Sequence, residues 1–200
     1  TTGAGRTDTG VHAKKMFAHF DFDGEISEKL VHQLNSFLPP SIAVKKIFEV
    51  KEDFHARFSA KYRTYEYYIS LEKNPFSEKF AWQHWRKTLD VGKMNEACKI
   101  LFEYEDFGSF AKVGADNKTN ICKIYHANWE QNGNELKFTI SADRFLRNMV
   151  RAIVGTMVEI GSGKLKPADL RNVIEAKNRG VAGTSAPAHA LFLVDVGYDF

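Results

Sequence analysis

The sequence predicts an α+β fold, with helices packed against a largely antiparallel sheet. Three observations carry this reading. Residues 62–70 form a tyrosine-rich run with a period of two, the spacing of a strand. Residues 121–131 and 135–142 flank Asn132-Gly133, a strong hairpin signal. Residues 144–160 carry an apolar stripe at helical spacing.

In chain order, residues 15–22 alternate loosely and predict a first strand. Ser27 offers an N-cap to a helix bearing Leu30, Val31, Leu34, Phe37 and Leu38, which Pro39-Pro40 stops. Residues 42–50 predict a second strand and residues 62–70 a third. In the third, Arg63, Tyr65, Tyr67 and Ile69 share one face, and Tyr62, Thr64, Glu66 and Tyr68 share the other. Asp90 caps a helix bearing Val91, Met94, Cys98 and Leu101. After the hairpin, the helix over 144–160 sets Leu146, Met149, Val150, Ile153 and Met157 in its stripe, and Gly161-Ser-Gly163 ends it. Pro167 opens a shorter helix at the favoured first position. Residues 190–196 predict a last, buried strand.

Two hundred residues, 44% hydrophobic and 26% charged, suit one large domain or two intimately packed halves with a sizeable core. No apolar run approaches the ~18 residues of a membrane span, so no membrane role is expected. Cys98 and Cys122 are too few and too isolated for a disulfide framework, and a reduced cytoplasm is the natural compartment. The seven histidines do not cluster in the sequence and no Cys or His quartet exists, so no metal is expected. A net charge of +3 neither demands nor excludes nucleic acid; any such case rests on where the charge lies.

The most informative segment is GAGRTDTGVH at residues 3–12. It sets Asp8 in a glycine-flanked loop beside Arg6. Glycines at 3, 5 and 10 permit close approaches and backbone angles that side-chained residues resist, so the loop is able to present its carboxylate to a substrate. The plain alternative is a surface turn. Nucleotide-binding loops fail on spacing. A P-loop needs Gly-Lys-Ser/Thr where Gly10-Val11-His12 stands, and a dinucleotide fingerprint needs a third glycine where Asp8 stands.

GRTDTGVHA at 5–13 resembles the signature of the tRNA pseudouridine synthase A family. FHARFSA at 54–60 with RTYEY at 63–67, then FLRNMVR at 145–151 with Gly155, then APA at 186–188 with Leu191 and Leu193, are similar to that family's later motifs in the same order. The resemblance implies the pseudouridine synthase fold: two related α/β halves, 1–88 and 89–200, whose sheets join into one with the active cleft across the middle. It implies an isomerase acting on uridines of the anticodon stem-loop of tRNA, at positions 38–40, as a homodimer. Family members carry a strand and a helix before the first motif. This chain begins at the motif, so the first half is expected to lack both and to leave an unpaired sheet edge.

The implied chemistry breaks the bond between ribose C1′ and uracil N1, turns the uracil, and joins its C5 to C1′. No atom is gained or lost, so no cofactor is expected. By match, Asp8 is the catalytic residue, either as nucleophile on C1′ or as base toward a ribose proton. A buried carboxylate resists ionisation unless a cation is near, and the match assigns that cation to Arg151. Arg147 is expected on the same helical face as Arg151, where it meets phosphate. Tyr65 matches the tyrosine that stacks on the target uracil, with sheet packing as its alternative. Tyr67, on the same face, reads as core. Arg6 matches the residue that fills the space left by the extruded base, or else contacts phosphate. His55 and Arg57 either orient RNA or brace the Asp8 loop. Lys14, Lys15, Lys61, Arg63 and Arg144 join Arg57, Arg147 and Arg151 as cations flanking the motifs, a source of salt-sensitive phosphate attraction. The competing reading is a non-catalytic RNA-binding module of the same fold. A carboxylate-dependent hydrolase needs a second, acid/base carboxylate, and none sits within the motifs.

Overall fold

The structure, a computed structural model, describes residues 1–86, 88–115 and 117–200. Its strands are β1 (Thr2–Gly3), β2 (His12–Ala13), β3 (Ala18–His19), β4 (Tyr62–Ser70), β5 (Trp82–Gln83), β6 (Ile124–Asn132), β7 (Glu135–Ala142) and β8 (Leu191–Gly197). Its α-helices are α1 (Leu30–Phe37), α2 (Val91–Leu101), α3 (Met149–Gly161) and α4 (Asp169–Glu175).

The tyrosine-rich strand β4 is the centre of the sheet. It pairs antiparallel with β8 on one side and β7 on the other, and β6 follows β7. The order is β2-β8-β4-β7-β6, with β2 parallel to β8 and β5 parallel to the end of β4. β1 and β3 form a separate two-stranded ladder. The fold is therefore α+β with a largely antiparallel sheet, as the sequence predicts.

One face of the sheet is apolar and lies under α2 and α3. Along β7, Leu136, Phe138, Ile140 and Ala142 are all buried, every second residue, as a half-covered antiparallel strand requires. Tyr67 and Ile69 of β4 join them, beneath Met94 and Leu101 of α2 and Met149, Ile153 and Met157 of α3. Trp129 stacks on Phe138 at 4.8 Å and 21°. Asn95 of α2 donates to the Trp129 carbonyl (2.9 Å) and accepts from its amide (2.7 Å), which fixes the helix on the edge strand. α3 buries eleven of its thirteen residues, so it is a core helix and not an amphipathic one. Asp90 caps α2 by accepting from the Lys93 amide at 3.0 Å. Gly163 (φ +77°) closes α3, with its amide on Ile160 O (3.0 Å) and the Lys164 amide on Glu159 O (2.9 Å), a Schellman arrangement.

Several expectations change. The strand expected over 15–22 exists only as Ala18–His19, because its ladder partner β1 is two residues long. Residues 42–50 form no strand; extended chain needs a ladder, and here the run is tied by the Ile42 amide on Pro39 O (2.9 Å) and by the Asn35 side chain on Val44, at 2.8 and 2.7 Å. The hairpin loop is Gly133-Asn134, one residue later than expected. Asn132 still pairs with Glu135, and Gly133 takes φ +57° at the first loop position, where a type II′ turn needs a glycine. The helix expected from residue 144 begins at Met149. Asn148 adopts a left-handed conformation (φ 68°, ψ −2°) that an α-helix does not contain, so residues 144–147 precede it. α4 starts at Asp169, two residues beyond Pro167. Among the described residues no helix is long and apolar enough to cross a membrane.

Candidate active site

A tight turn shapes the Asp8 loop. The Val11 amide donates to the Asp8 carbonyl (3.1 Å), and Gly10 takes φ +87° at the third turn position, as a type II turn demands. Upstream, the Ala4 amide donates to Phe17 O (2.8 Å) and Ala4 packs beside Leu193 and Val196. Downstream, β2 joins β8. Between these anchors the Asp8 side chain meets the start of α3. Arg151 Nη1 donates to Asp8 Oδ2 at 2.7 Å, and Arg147 Nε lies 3.6 Å from Oδ1. The Asp8 and Arg151 side chains are only 17% and 20% exposed, so little water screens their attraction. Arg147 keeps 45% of its side chain exposed. It was expected on the helical face of Arg151; it stands instead in the turn before α3, and lies against the same carboxylate.

Arg151 is aimed by a strap of chain over residues 182–187. Its Nε donates to the Ala186 carbonyl (2.7 Å), and its own carbonyl accepts the Ala186 amide (3.0 Å). The strap crosses α3 where both chains carry glycine. A Cβ on Gly155 would stand 1.8 Å from Thr184 O, and one on Gly183 would stand 2.7 Å from Thr156 N. Thr156 Oγ1 accepts the Gly183 amide (2.9 Å), and Asn148 and Arg179 both donate to Ser185 Oγ (2.7 and 2.8 Å).

Asp8 and Arg151 lie in a cleft of about 610 Å³, lined also by the 57–61 segment, by Arg63 and Tyr65 of β4, and by residues 143–150. Eight described cations line it: Arg6, Arg57, Lys61, Arg63, Lys118, Arg144, Arg147 and Arg151. Asp143 is the other carboxylate among the described lining residues, and it accepts the Lys123 and Arg144 amides at 2.8 and 2.7 Å. Burial, then the like charges of Arg6, Arg144 and Arg63, hold the Arg57 guanidinium below its ordinary pKa.

Tyr65 stands at a bulge. Thr64 pairs with Asp195 and Tyr65 with Leu193, so Val194 is the extra residue. Its ring meets Phe145 edge-on at 5.3 Å and 85°. Burial pushes the Tyr65 phenol up to about 12, so it keeps its proton at neutral pH. Tyr67 is buried and donates to Pro187 O at 3.0 Å, a core position. Arg6 is exposed and Arg57 half-buried, and both line the cleft. His55 is not among the described lining residues. Its Nδ1 accepts the Arg57 and Phe58 amides (3.1 and 3.3 Å), and its ring lies 4.9 Å from that of His19, which accepts the Ala56 amide (3.1 Å). The imidazole therefore braces the 55–59 turn. The histidines are scattered along the sequence, yet the fold brings these two together.

Sequence reasoning treats Arg63 as one more flanking cation. Its guanidinium donates to the carbonyls of Ala4 (3.1 Å), Ala60 (3.3 Å), Asp143 (3.0 Å) and Arg57. One side chain thus ties the Asp8 loop, the 57–60 segment and the approach to α3. The only signal for it was an arginine on the core side of a strand, where a charge needs partners.

The family model described as tRNA pseudouridine synthase matches residues 97–199. The tRNA pseudouridine synthase A of Parabacteroides distasonis is 56% identical over 198 residues, covering 98% of this chain and 78% of that protein. Its counterpart in Bacteroides fragilis is 56% identical over 199 residues, covering 98% and 79%. The Bacillus subtilis protein of the same name is 40% identical over 199 residues, covering 98% and 80%. Identity at this level over nearly its whole length leaves one conclusion: the chain belongs to the tRNA pseudouridine synthase family.

Proposed function

We infer that this chain isomerises uridine to pseudouridine in tRNA, with Asp8 as the reacting carboxylate. One observation carries the reading. Asp8, paired with Arg151 at 2.7 Å, sits in a cleft of about 610 Å³ whose other described charged lining residues are basic apart from Asp143. That volume suits a small-molecule-sized group such as an extruded nucleotide, and the surrounding cations suit its phosphates.

Asp8 either attacks C1′ or removes a ribose proton as the C1′–N1 bond breaks. The freed uracil turns and bonds through C5 to C1′, which displaces Asp8 if it attacked there, or lets the ribose take back its proton if Asp8 removed one. C5 then gives up its proton and N1 gains one, so substrate and product are isomers. Arg151 fixes the direction of the carboxylate. Arg147, more exposed, is within reach of both Asp8 and an incoming phosphate. Tyr65, protonated up to about pH 12, offers the uracil a neutral aromatic ring. Arg6 and Arg57 meet the RNA at the rim, and His55 holds the turn that carries Arg57.

The same reading extends to uridines 38–40 of the anticodon stem-loop, to a homodimer that shares one tRNA, and to a cytoplasmic setting. It also keeps the division of the chain into halves at 88/89. The breadth of the basic lining supports a substrate larger than one nucleotide.

The test uses an unmodified tRNA transcript carrying tritium at uridine C5, with no added cofactor. The chain is expected to release tritium. Asp8→Asn is expected to stop release while tRNA binding stays within a few-fold. Full turnover by that variant would remove Asp8 from the mechanism. Binding without turnover by the unaltered chain would favour the non-catalytic RNA-binding module.

A further inference from the structure

Phe58 is 73% exposed, yet it lines the cleft that holds Asp8. A single exposed apolar residue is ordinary on a protein surface. Two features set this one apart. Its backbone is fixed: the Arg57 and Phe58 amides both donate to His55 Nδ1 (3.1 and 3.3 Å), the Ser59 amide donates to the His55 carbonyl (2.8 Å), and the His55 amide donates to Ser59 Oγ (3.0 Å). A closed turn therefore presents the ring. The ring is also backed, with the His55 imidazole 4.3 Å from its centroid, tilted by 39°, and the Arg57 guanidinium 5.2 Å away. Neither covers it.

Such a ring keeps apolar surface in water beside a cation, and the described residues leave it uncovered. A nucleobase supplies that cover. Bases stack on aromatic faces whatever their identity, and the phosphate attached to a stacked base would lie near Arg57. Tyr65 is half-buried and edge-packed on Phe145, so it serves one base at depth. Phe58 stands farther out. We propose that Phe58 is a stacking platform for an unpaired nucleobase next to the target uridine in the RNA strand. That neighbour loses its stacking partner when the uridine leaves the helix. The proposal rests on the cleft being a tRNA site.

The experiment places 2-aminopurine, whose emission falls on stacking, beside the uridine that the full chain modifies, and in a short single-stranded oligonucleotide as well. Binding is expected to quench emission in both. Phe58→Leu keeps an apolar side chain of similar bulk and loses the aromatic face. It is expected to lose the quenching and to raise KM for tRNA about ten-fold, with kcat within two-fold of the unaltered chain. Phe58→Trp is expected to restore quenching and KM. Because the side chain is exposed, all three forms are expected to share one melting temperature. Unchanged quenching and KM in Phe58→Leu overturn the platform, and so does a raised KM that Phe58→Trp leaves uncorrected. Ring-dependent quenching of the oligonucleotide by a chain that makes no pseudouridine keeps the platform and overturns the isomerase reading instead, so the two failures are distinct.

Discussion

The two partners of the central ion pair come from opposite kinds of structure. Within residues 1–61 only Ala4 and Ala56 are buried, the strands are two residues long, and α1 buries none of its residues. α3 buries eleven of its thirteen residues. Asp8 belongs to the first region and Arg151 to the second. Segments with few buried contacts open at low free-energy cost, whereas core helices open only with the whole domain. The carboxylate is therefore placed less by its own region than by ties to the core. Arg151 and Arg147 hold its oxygens, Arg63 holds the Ala4 carbonyl, and β2 rests on β8. The position of the Asp8 carboxylate is set from across the cleft.

The largest effect is expected from breaking the core side. In Gly155→Ala the new methyl would stand 1.8 Å from the Thr184 carbonyl oxygen, which is backbone and has no rotamer to change. Overpacking of this kind costs about 3 kcal/mol or more, read as a lower urea midpoint. The strap must move, and the Ala186 carbonyl that orients Arg151 moves with it. Turnover is expected to fall by roughly a hundred-fold or more even in molecules that remain folded. A variant with the midpoint and activity of the unaltered chain would show that the glycine crossing does not position Arg151.

Arg151→Lys cuts the same link more gently. Lysine keeps the charge and loses the fork that reaches Asp8 and Ala186 together. A drop of about a hundred-fold in kcat/KM is expected, with little change in tRNA binding. A loss confined to KM would mean that Arg151 contacts RNA and not the carboxylate. Arg63→Lys tests the tie from the other side. Four carbonyls from three segments lose their shared donor, so kcat is expected to fall by about ten-fold. Hydrogen exchange gives the sharper readout. Amides around Ala4 and Asp8 are expected to lose protection while those of α3 keep theirs. Equal changes in both regions would erase the contrast between them.

What the sequence makes legible follows the same divide. β4, β7 and α2 carry their own periodicities and their partners lie on the apolar face, so pattern alone locates them. The runs over 15–22 and 42–50 have strand composition too, but a strand exists only where a ladder meets it, and that is not written in the run itself. The start of α3 was hidden for a related reason. Its apolar stripe continues back through Leu146, while the left-handed Asn148 that ends it is braced by Ser185, thirty-seven residues away. The pairing of Asp8 with Arg151 was legible from the family motifs, and the two side chains lie 2.7 Å apart. The role of Arg63 was not, because it consists of four carbonyls that only the fold assembles.

The smallest effect at neutral pH is expected from Tyr65→Phe, and it sharpens the comparison most finely. The Tyr65 hydroxyl has no hydrogen-bond partner among the described residues, and phenylalanine keeps the ring and its edge contact with Phe145. If stacking is the role, kcat/KM falls by less than about ten-fold in Tyr65→Phe and much further in Tyr65→Ala. Equal losses would argue for the hydroxyl. The alkaline limb provides a separate check on placement. Burial raises the phenol from its ordinary 10.0 to about 12, so the folded chain holds this proton more tightly than the unfolded chain does. The stability linked to that proton is complete below pH 10 and is lost as pH rises toward about 12. Tyr65→Phe lacks the group, so its urea midpoint is expected to decline less steeply over that interval than that of the unaltered chain. Parallel declines would place the phenol in water and remove the buried setting against Phe145 that sets Tyr65 apart from the exposed Phe58.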